Sequence, residues 1–185
     1  MANKILLAAN STPIVWADTT DYAGDGGTRT HQILLAALAA AAARQGEKAD
    51  LDRGDVADRF SHRFSVTVRI EFDVAPAVTG TVSFYWSSSL SATPATANDG
   101  ACTGADAAYA GSAGSSIEET VLQLMFIGSL PVTLDADTII QQKTFICTFP
   151  TQWGMPVVVN NTAQAFEGDD VEMSITLTPL EDEAQ

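Results

Sequence analysis

Few residues in this chain could carry out acid–base or nucleophilic chemistry. It has two histidines, His31 and His62, so a Ser-His-Asp or Cys-His arrangement would need one of them. His62 opens a strand-like stretch beside Arg63, where a solvated edge residue is the simpler interpretation. We therefore predict no catalytic residues, and we expect that the protein is not an enzyme.

Acidic residues at short spacing are the other candidates for chemistry. Two pairs and one triplet have the composition of a glycosidase dyad or a hard-cation site. They are Asp135/Asp137, Asp169/Asp170, and Asp18 with Asp21 and Asp25. The pairs adjoin predicted strand ends, where Asp favours turns, and the triplet lacks the twelve-residue EF-hand pattern. The glycines of DYAGDGGTRT match neither a dinucleotide-binding nor a phosphate-binding loop. We predict no metal and no cofactor.

The two cysteines occur in different contexts. Cys102 lies in a Gly/Ala/Asp-rich loop, and Cys147 lies in the strand-like run KTFICTF. We expect two free thiols, with Cys147 as a small buried apolar residue, although the sequence leaves a disulfide open.

Charge is distributed unevenly along the chain. Residues 1–69 hold eight of the nine basic residues and eight acidic ones, whereas residues 70–185 hold Lys143 against fifteen acidic residues. The net charge is −14, and such a surface repels phosphates. We therefore expect neither a nucleic acid nor a membrane as partner. The longest apolar stretch, residues 33–43, is about half of a bilayer span, and the N-terminus is too short for a secretory segment.

Alternating hydrophobicity predicts the elements that must position any site. In HRFSVTVRIEFDV, residues 64, 66, 68, 70, 72 and 74 are apolar and alternate with polar ones, which predicts a half-buried strand. TGTVSFYW and VEMSITLTPL repeat the pattern, and VLQLMFIGSL and MPVVVNN predict central strands. The sequence predicts an all-β fold, a jelly-roll-like antiparallel β-sandwich. We assign residues 1–30 to an extended N-terminal arm and residues 31–185 to a single domain.

Two regions are harder to assign. Residues 33–44 contain the strongest helix formers of the chain, between a start signal at Thr30 and a stop at Gly46, so helix and extended strand are both open. As a strand, the segment would place Leu35 and other odd positions inward. Residues 87–116 form a long loop rich in Gly, Ser and Ala, and loops of this length are commonly functional or mobile.

Protein–protein contacts are the interaction that charge and hydropathy favour. The stretch from Arg44 to Arg69 interleaves both signs of charge, which indicates an ion-paired surface or interface. The N-terminal arm carries an apolar run that would be exposed if it were free of the domain. We predict that deleting residues 2–16 leaves the sandwich folded. The candidate inter-subunit contacts are Ile14, Val15, Trp16, Arg44, Lys48, Arg53 and Arg59.

Several stretches together carry a family resemblance over residues 45–185. They are GEKADL, RFSVTVRIEF, GTVSFYWSSSLSATPATANDGACTGADAAY, FIGSL, WGMPVVVNNTAQAF and ITLTPLEDEAQ. In these stretches the chain resembles small β-sandwich virion structural proteins of tailed bacteriophages. The resemblance implies a capsid decoration (cement) protein that assembles in the host cytoplasm and resides in the virion. Its implied partners are the major capsid protein and further copies of itself, as a homo-oligomer.

A tail or fibre-associated module that binds host surface glycan is the alternative that the resemblance implies. Sugar rings stack on exposed aromatic side chains, and four aromatic residues are candidate platforms. They are Tyr85, Trp86, Tyr109 and Trp153. Trp86 continues the inward register of Val82 and Phe84, so the same pattern favours core packing for it.

Overall fold

The elements of the fold are almost all strands. The computed structural model describes residues 4–6, 12–20, 22–51, 63–77, 79–133, 139–169 and 171–183. The strands in these residues are β1 Lys4–Leu6, β2 Ile14–Ala17, β3 His31–Gln32, β4 Ala43–Gln45, β5 Ala49–Asp50, β6 Arg63–Ile70, β7 Thr81–Ser89, β8 Ala107–Ala108, β9 Met125–Pro131, β10 Gln141–Thr148, β11 Trp153–Asn160, β12 Ser174–Pro179 and β13 Glu181–Glu183. One α-helix, α1 Ile117–Thr120, and 3-10 turns at Asp99–Ala101 and Val121–Gln123 complete the described part.

These strands form two sheets packed face to face. Sheet I has the order β10-β6-β12-β2-β3, and sheet II has the order β8-β4-β11-β7-β9 with β5 also paired to β11. All pairings are antiparallel except β2 with β3, which run parallel. A separate two-stranded ribbon joins β1 to β13. The all-β sandwich predicted from the sequence is confirmed.

Strand β6 confirms the clearest sequence pattern over residues 63–70, whereas the predicted continuation fails beyond Ile70, since Val74 is 52% exposed and Glu71 is buried. The strand lies between β10 and β12, and its burial alternates residue by residue. Phe64, Val66, Val68 and Ile70 are fully buried, whereas the residues between them are half-buried. Because strand side chains alternate between faces, this single row supplies a large part of the core between the sheets.

An aromatic group fills the centre of that core. The Trp16 ring meets the edge of Trp86 at a centroid distance of 5.8 Å, and Phe149 packs on the other side of Trp86 at 4.4 Å. Gly154 of β11 lies directly against this indole, and a Cβ atom there would come within 2.4 Å of Trp86 Cε2. The absence of a side chain at residue 154 therefore allows Trp86 to reach the core centre.

The described part of residues 1–30 is not the free arm that the sequence suggested. Strand β2 is an interior strand of sheet I, hydrogen bonded to β12 on one side and β3 on the other. Ile14 and Trp16 point into the main core. The Val15 side chain lies on the opposite face against Gly27, and the Val15 N–H donates to Thr30 Oγ1 at 2.9 Å. The apolar run is therefore that of a strand covered on both faces, as the burial of all four β2 residues shows.

The helix considered for residues 33–44 is wrong. These residues form two turns followed by β4, and Ala37 and Ala41 have φ values of 52° and 58°. Asn160 of β11 accounts for this geometry, because its buried Nδ2 donates to the carbonyls of Leu38 and Ala39 at 3.0 and 3.2 Å. A helix would need those carbonyls for its own hydrogen bonds. Leu35 is buried, as the extended alternative placed it.

Candidate interaction surface

The apolar residues predicted as inter-subunit contacts lie inside the protein. Ile14, Val15 and Trp16 have no exposed surface. The prediction that they contact another subunit is therefore wrong for the folded chain. One face of β2 packs into the main core, and the loop around Gly27 covers the other face. For the same reason we now expect that deleting residues 2–16 disrupts the sandwich, since the deletion would remove three of the four residues of β2.

The basic residues predicted as contacts bind within the chain where the structure describes them. Arg44 of β4 forms a two-pronged ion pair with Asp106, with Nε–Oδ1 and Nη2–Oδ2 distances of 2.6 and 2.7 Å. The backbone N–H of Leu34 also donates to Asp106 Oδ1, at 3.2 Å. Arg44 thereby fixes the segment around Asp106 to sheet II. Arg53 and Arg59 lie outside the described residues.

Lys48 is enclosed by oxygen atoms. Its Nζ donates to Ser89 Oγ and to the carbonyls of Ser91, Thr93 and Thr96, at 2.8, 3.0, 2.7 and 3.0 Å. Partial burial lowers the pKa of Lys48, whereas the four surrounding oxygens favour its charged form. An ammonium donates three hydrogen bonds, so the four oxygens within reach share its three N–H donors. The lysine thus ties the loop after β7 to the segment before β5.

The long small-residue loop is a packed layer, which we call the outer layer and define as residues 90–124. It covers the outward side of sheet II. The first three residues that the sequence assigned to the loop, 87–89, belong to β7. Beneath it lies a second apolar cluster, separate from the main core. Its buried members are Ala43, Cys102, Tyr109, Val121, Leu124, Met155, Val157 and Val159. Strand β11 therefore contributes one face to each cluster.

Hydrogen bonds from side chains to backbone hold the outer layer in shape. Asn98 Nδ2 donates to the carbonyls of Pro94 and Cys102 at 2.7 and 2.8 Å. Gln45 of β4 binds Thr103 twice, donating from Nε2 to Oγ1 at 2.6 Å and accepting from its N–H at 3.0 Å. Tyr109 donates from its hydroxyl to the Gly100 carbonyl at 2.7 Å. The expectation of a mobile loop is not supported by these contacts.

The cysteines are free thiols, as predicted. Cys102 is buried under the outer layer, where burial raises the pKa of its thiol to about 11. Burial also raises the pKa of the half-buried Cys147 thiol on β10. Neither thiol has the depressed pKa that a nucleophile or a redox-active cysteine requires. Tyr109 lies close to Cys102, and burial raises the pKa of its phenol as well.

The candidate residues for acid–base and metal chemistry have structural partners. His31 packs on the Trp16 ring at 5.4 Å, and its Nδ1 lies 2.9 Å from Thr30 Oγ1. Asp18 accepts the Thr20 N–H at 2.9 Å in a turn, and Asp25 pairs with Arg69 at 3.2 Å. Within the described residues, no three His, Cys, Asp or Glu side chains are placed to hold a metal ion. His62, Asp21, Asp135, Asp137 and Asp170 lie outside the described residues.

Carboxylates gather at the end of sheet I after β6. Glu71 is largely buried, and its pKa is raised first by burial and then by the neighbouring charges of Glu172, Glu167 and Asp169. The negative charges of these neighbouring carboxylates give this end of the sandwich a negative electrostatic potential.

Two of the four candidate aromatic platforms are inaccessible. Trp86 is fully buried and Tyr109 is nearly so, which confirms core packing for Trp86. Tyr85 and Trp153 are half-buried. Tyr85 stacks against Phe126 of β9 at a centroid distance of 5.3 Å, and Phe126 is 56% exposed. Sequence reasoning missed Phe126, since the alternation of β9 is broken by a bulge opposite Phe84 and Tyr85.

Three polar residues that fix the outer layer or the turns before β4 were also missed. Gln45, Asp106 and Asn160 act on backbone groups far away in the sequence, at separations of 58, 72 and 122 residues. The sequence does contain a signal for Asn160. It ends the apolar run of β11 at an inward-facing position of the strand, where a polar side chain needs a hydrogen-bond partner.

Known proteins offer no guide to this surface. Comparisons with family models, with curated proteins and with solved structures find no match to the chain. Within the described residues, no helix is long and apolar enough to cross a membrane.

Proposed function

We propose that the protein is a bacteriophage virion structural protein, and that it decorates the capsid and stabilises the head through protein–protein contacts. The observation that carries the proposal is the outer layer. A loop of small residues is fixed over sheet II by Arg44, Gln45 and Lys48, which supports a rigid surface suited to contact with another protein. The resemblance of residues 45–185 to phage virion proteins supplies the biological context. Partners would be the major capsid protein and further copies of the chain.

The chemistry of the described residues is consistent with a role in assembly. The ionisable side chains discussed above serve turns, ion pairs and packing, and both thiols have raised pKa values. Decoration proteins act through many weak contacts repeated over a lattice, so a single site needs neither a deep cleft nor a strong ligand. A net charge of −14 would keep unassembled copies soluble until they reach the capsid.

The test is to locate the protein in the particle. Mass spectrometry of purified virions of the encoding phage should detect it, and cryo-electron microscopy should place it on the head lattice. Heads made without the protein should recover resistance to heat or dilution when the purified chain is added. Absence from the virion, or density confined to the tail, would contradict capsid decoration.

A tail or fibre-associated module that binds host glycan is the second candidate. The exposed ring of Phe126 beside the half-buried ring of Tyr85 favours it, because exposed aromatic surface can stack on a sugar. Glycan-array binding by the purified chain, lost in Phe126→Ala and kept in Leu122→Ala, would support this alternative. A tail location combined with the same binding profile would favour it over decoration.

A further inference from the structure

Exposed apolar side chains are frequent in one stretch of the chain. In the described part of the chain, six large apolar residues are exposed, and four of them lie between residues 122 and 146. They are Leu122, Phe126, Ile139 and Ile146, which are 84%, 56%, 47% and 65% exposed. This stretch contains β9 and β10, the outermost strands on one side of sheets II and I. Scattered apolar residues on a surface are ordinary, but Ile146 lies on an edge strand, where an exposed apolar side chain is a candidate for contact with another protein.

The two edge strands differ in how they are covered. Lys143 of β10 donates from Nζ to the Ser129 carbonyl of β9 at 2.9 Å. The Phe145 ring lies so close to Gly128 of β9 that an added Cβ would come within 2.3 Å of it. Both side chains belong to the row of β10 that faces the core, so β9 lies under the inner face of β10 rather than beside it. Among the described residues, no strand pairs with the lateral edge of β10.

The backbone of β10 has a partner strand on one side. Its eight residues pair with β6, and no other backbone hydrogen bond to β10 occurs among the described residues. In an antiparallel pair, half of the N–H and C=O groups point away from the partner strand. An edge with such unpaired groups is a template for one more strand.

The same edge is free of acidic residues. No Asp or Glu occurs at residues 120–134 or 138–166, although the chain contains 23 of them. The outward row of β10, which consists of Gln142, Thr144, Ile146 and Thr148, is uncharged. A basic partner would gain more by binding the carboxylates near Glu71. A partner that is itself strongly acidic can approach closely where carboxylates are missing, and the chain is such a partner for itself.

We propose that the open edge of β10 is a self-association surface, at which β10 of a second copy adds antiparallel to form a sheet that continues across a two-fold axis. A two-fold contact uses the same patch on both copies, so the unpaired backbone groups of each strand satisfy those of the other. Ile146 is the apolar side chain that this pairing buries on the outer face. The inference goes beyond capsid decoration and does not depend on it, since it concerns the purified chain alone.

Sedimentation velocity of the full-length chain over a range of concentrations tests the proposal. We expect a monomer–dimer equilibrium that strengthens with added salt, because salt screens repulsion between two chains of charge −14. Ile146→Lys places a charge on the open edge and should weaken dimerisation at least about tenfold, which corresponds to about 1.4 kcal/mol. Leu122→Lys is the matched control, since it adds the same charge at a more exposed apolar residue away from β10 and should leave the equilibrium unchanged.

Hydrogen exchange locates the contact independently of these variants. Amides of residues 141–148 should exchange more slowly at high protein concentration in the unaltered chain and in Leu122→Lys, but not in Ile146→Lys. Circular dichroism should give the same melting profile for both variants at low concentration, which separates loss of pairing from loss of folding. A chain that stays monomeric over the whole concentration range would overturn the proposal. So would a dimer weakened by Leu122→Lys and unaffected by Ile146→Lys.

Discussion

The sandwich interior and the outer layer lie on opposite faces of sheet II, and different interactions hold them. The interior is formed by large apolar side chains that strands such as β6 present every second residue. The outer layer consists mostly of small residues, and side chains of sheet II and its flanking segment bind its backbone and Asp106. The interior is therefore stabilised chiefly by apolar burial, and the layer by polar contacts whose geometry must be met one by one.

The largest expected effect comes from placing a charge in the interior. Val66→Asp buries a carboxylate beside Phe145 and Leu177, its neighbours on β10 and β12, and should cost several kcal/mol of unfolding free energy. Val66 is preferable to Val68 for this test, because Lys143 lies opposite Val68 and could pair with a new carboxylate. Urea denaturation measures the loss.

Thr67→Asp is the matched control one residue away. Thr67 faces outward, and its Oγ1 lies 3.0 Å from Thr144 Oγ1 on β10. The substitution should therefore lower the free energy of unfolding by no more than about 1 kcal/mol. Equal losses at residues 66 and 67 would contradict the assignment of the two faces of β6.

An intermediate effect is expected when the outer layer loses its ion pair. Asp106→Ala removes the acceptor of two Arg44 donors and of the Leu34 N–H, and should cost about 1–3 kcal/mol. Asp99→Ala removes an exposed carboxylate from the same layer and should cost about 0.5 kcal/mol or less. If Asp106→Ala is as mild as its control under urea denaturation, the ion pair does not hold the layer.

A smaller, local effect should follow from Lys48→Met. The variant loses four oxygen contacts, so the outer layer should open more often while the interior stays folded. Alkylation in native buffer near pH 8 should label Cys147 before Cys102, whose pKa of about 11 and burial both protect it. Lys48→Met should raise the Cys102 rate several-fold and leave the Cys147 rate as the internal reference. Equal acceleration at both thiols would indicate global destabilisation instead.

The mildest test concerns a charge at the rim of the interior. Burial and three neighbouring carboxylates raise the pKa of Glu71 above 4.5. A group whose pKa is raised by folding contributes stability below its unfolded pKa, and this contribution is lost as pH rises through the folded pKa. Glu71→Gln should therefore be more stable than the unaltered chain near neutral pH. Thermal melting should show that the advantage disappears below pH 4.5, and an advantage that persists there would contradict the titration of Glu71 as its cause.

The extent to which the sequence predicts this molecule follows from the same contrast. The alternation of β6 predicts its buried row because apolar burial depends on residue type and period, both of which the sequence displays. The helix considered for residues 33–44 does not form, because Asn160 donates hydrogen bonds to two of its carbonyls. A local sequence pattern cannot predict a partner 122 residues away. The sequence predicts an exposed contact at Trp16, because a run that is apolar on both faces has the composition of an interface segment as well as that of a strand covered on both faces. The sequence identifies Arg44 and Lys48 as charged contact residues, but it does not predict their partners Asp106 and Ser89.

The site around Lys48 has a consequence for how the loop depends on its medium. Loops built from carbonyl and hydroxyl oxygens often need a dissolved calcium or sodium ion to neutralise their converging dipoles. Here the cation is part of the polypeptide, at the end of a side chain whose backbone N–H is itself fixed to the Gly104 carbonyl at 3.0 Å. Dilution cannot remove it and chelators cannot extract it. The shape of the loop should thus be the same in a calcium-poor and a calcium-rich environment.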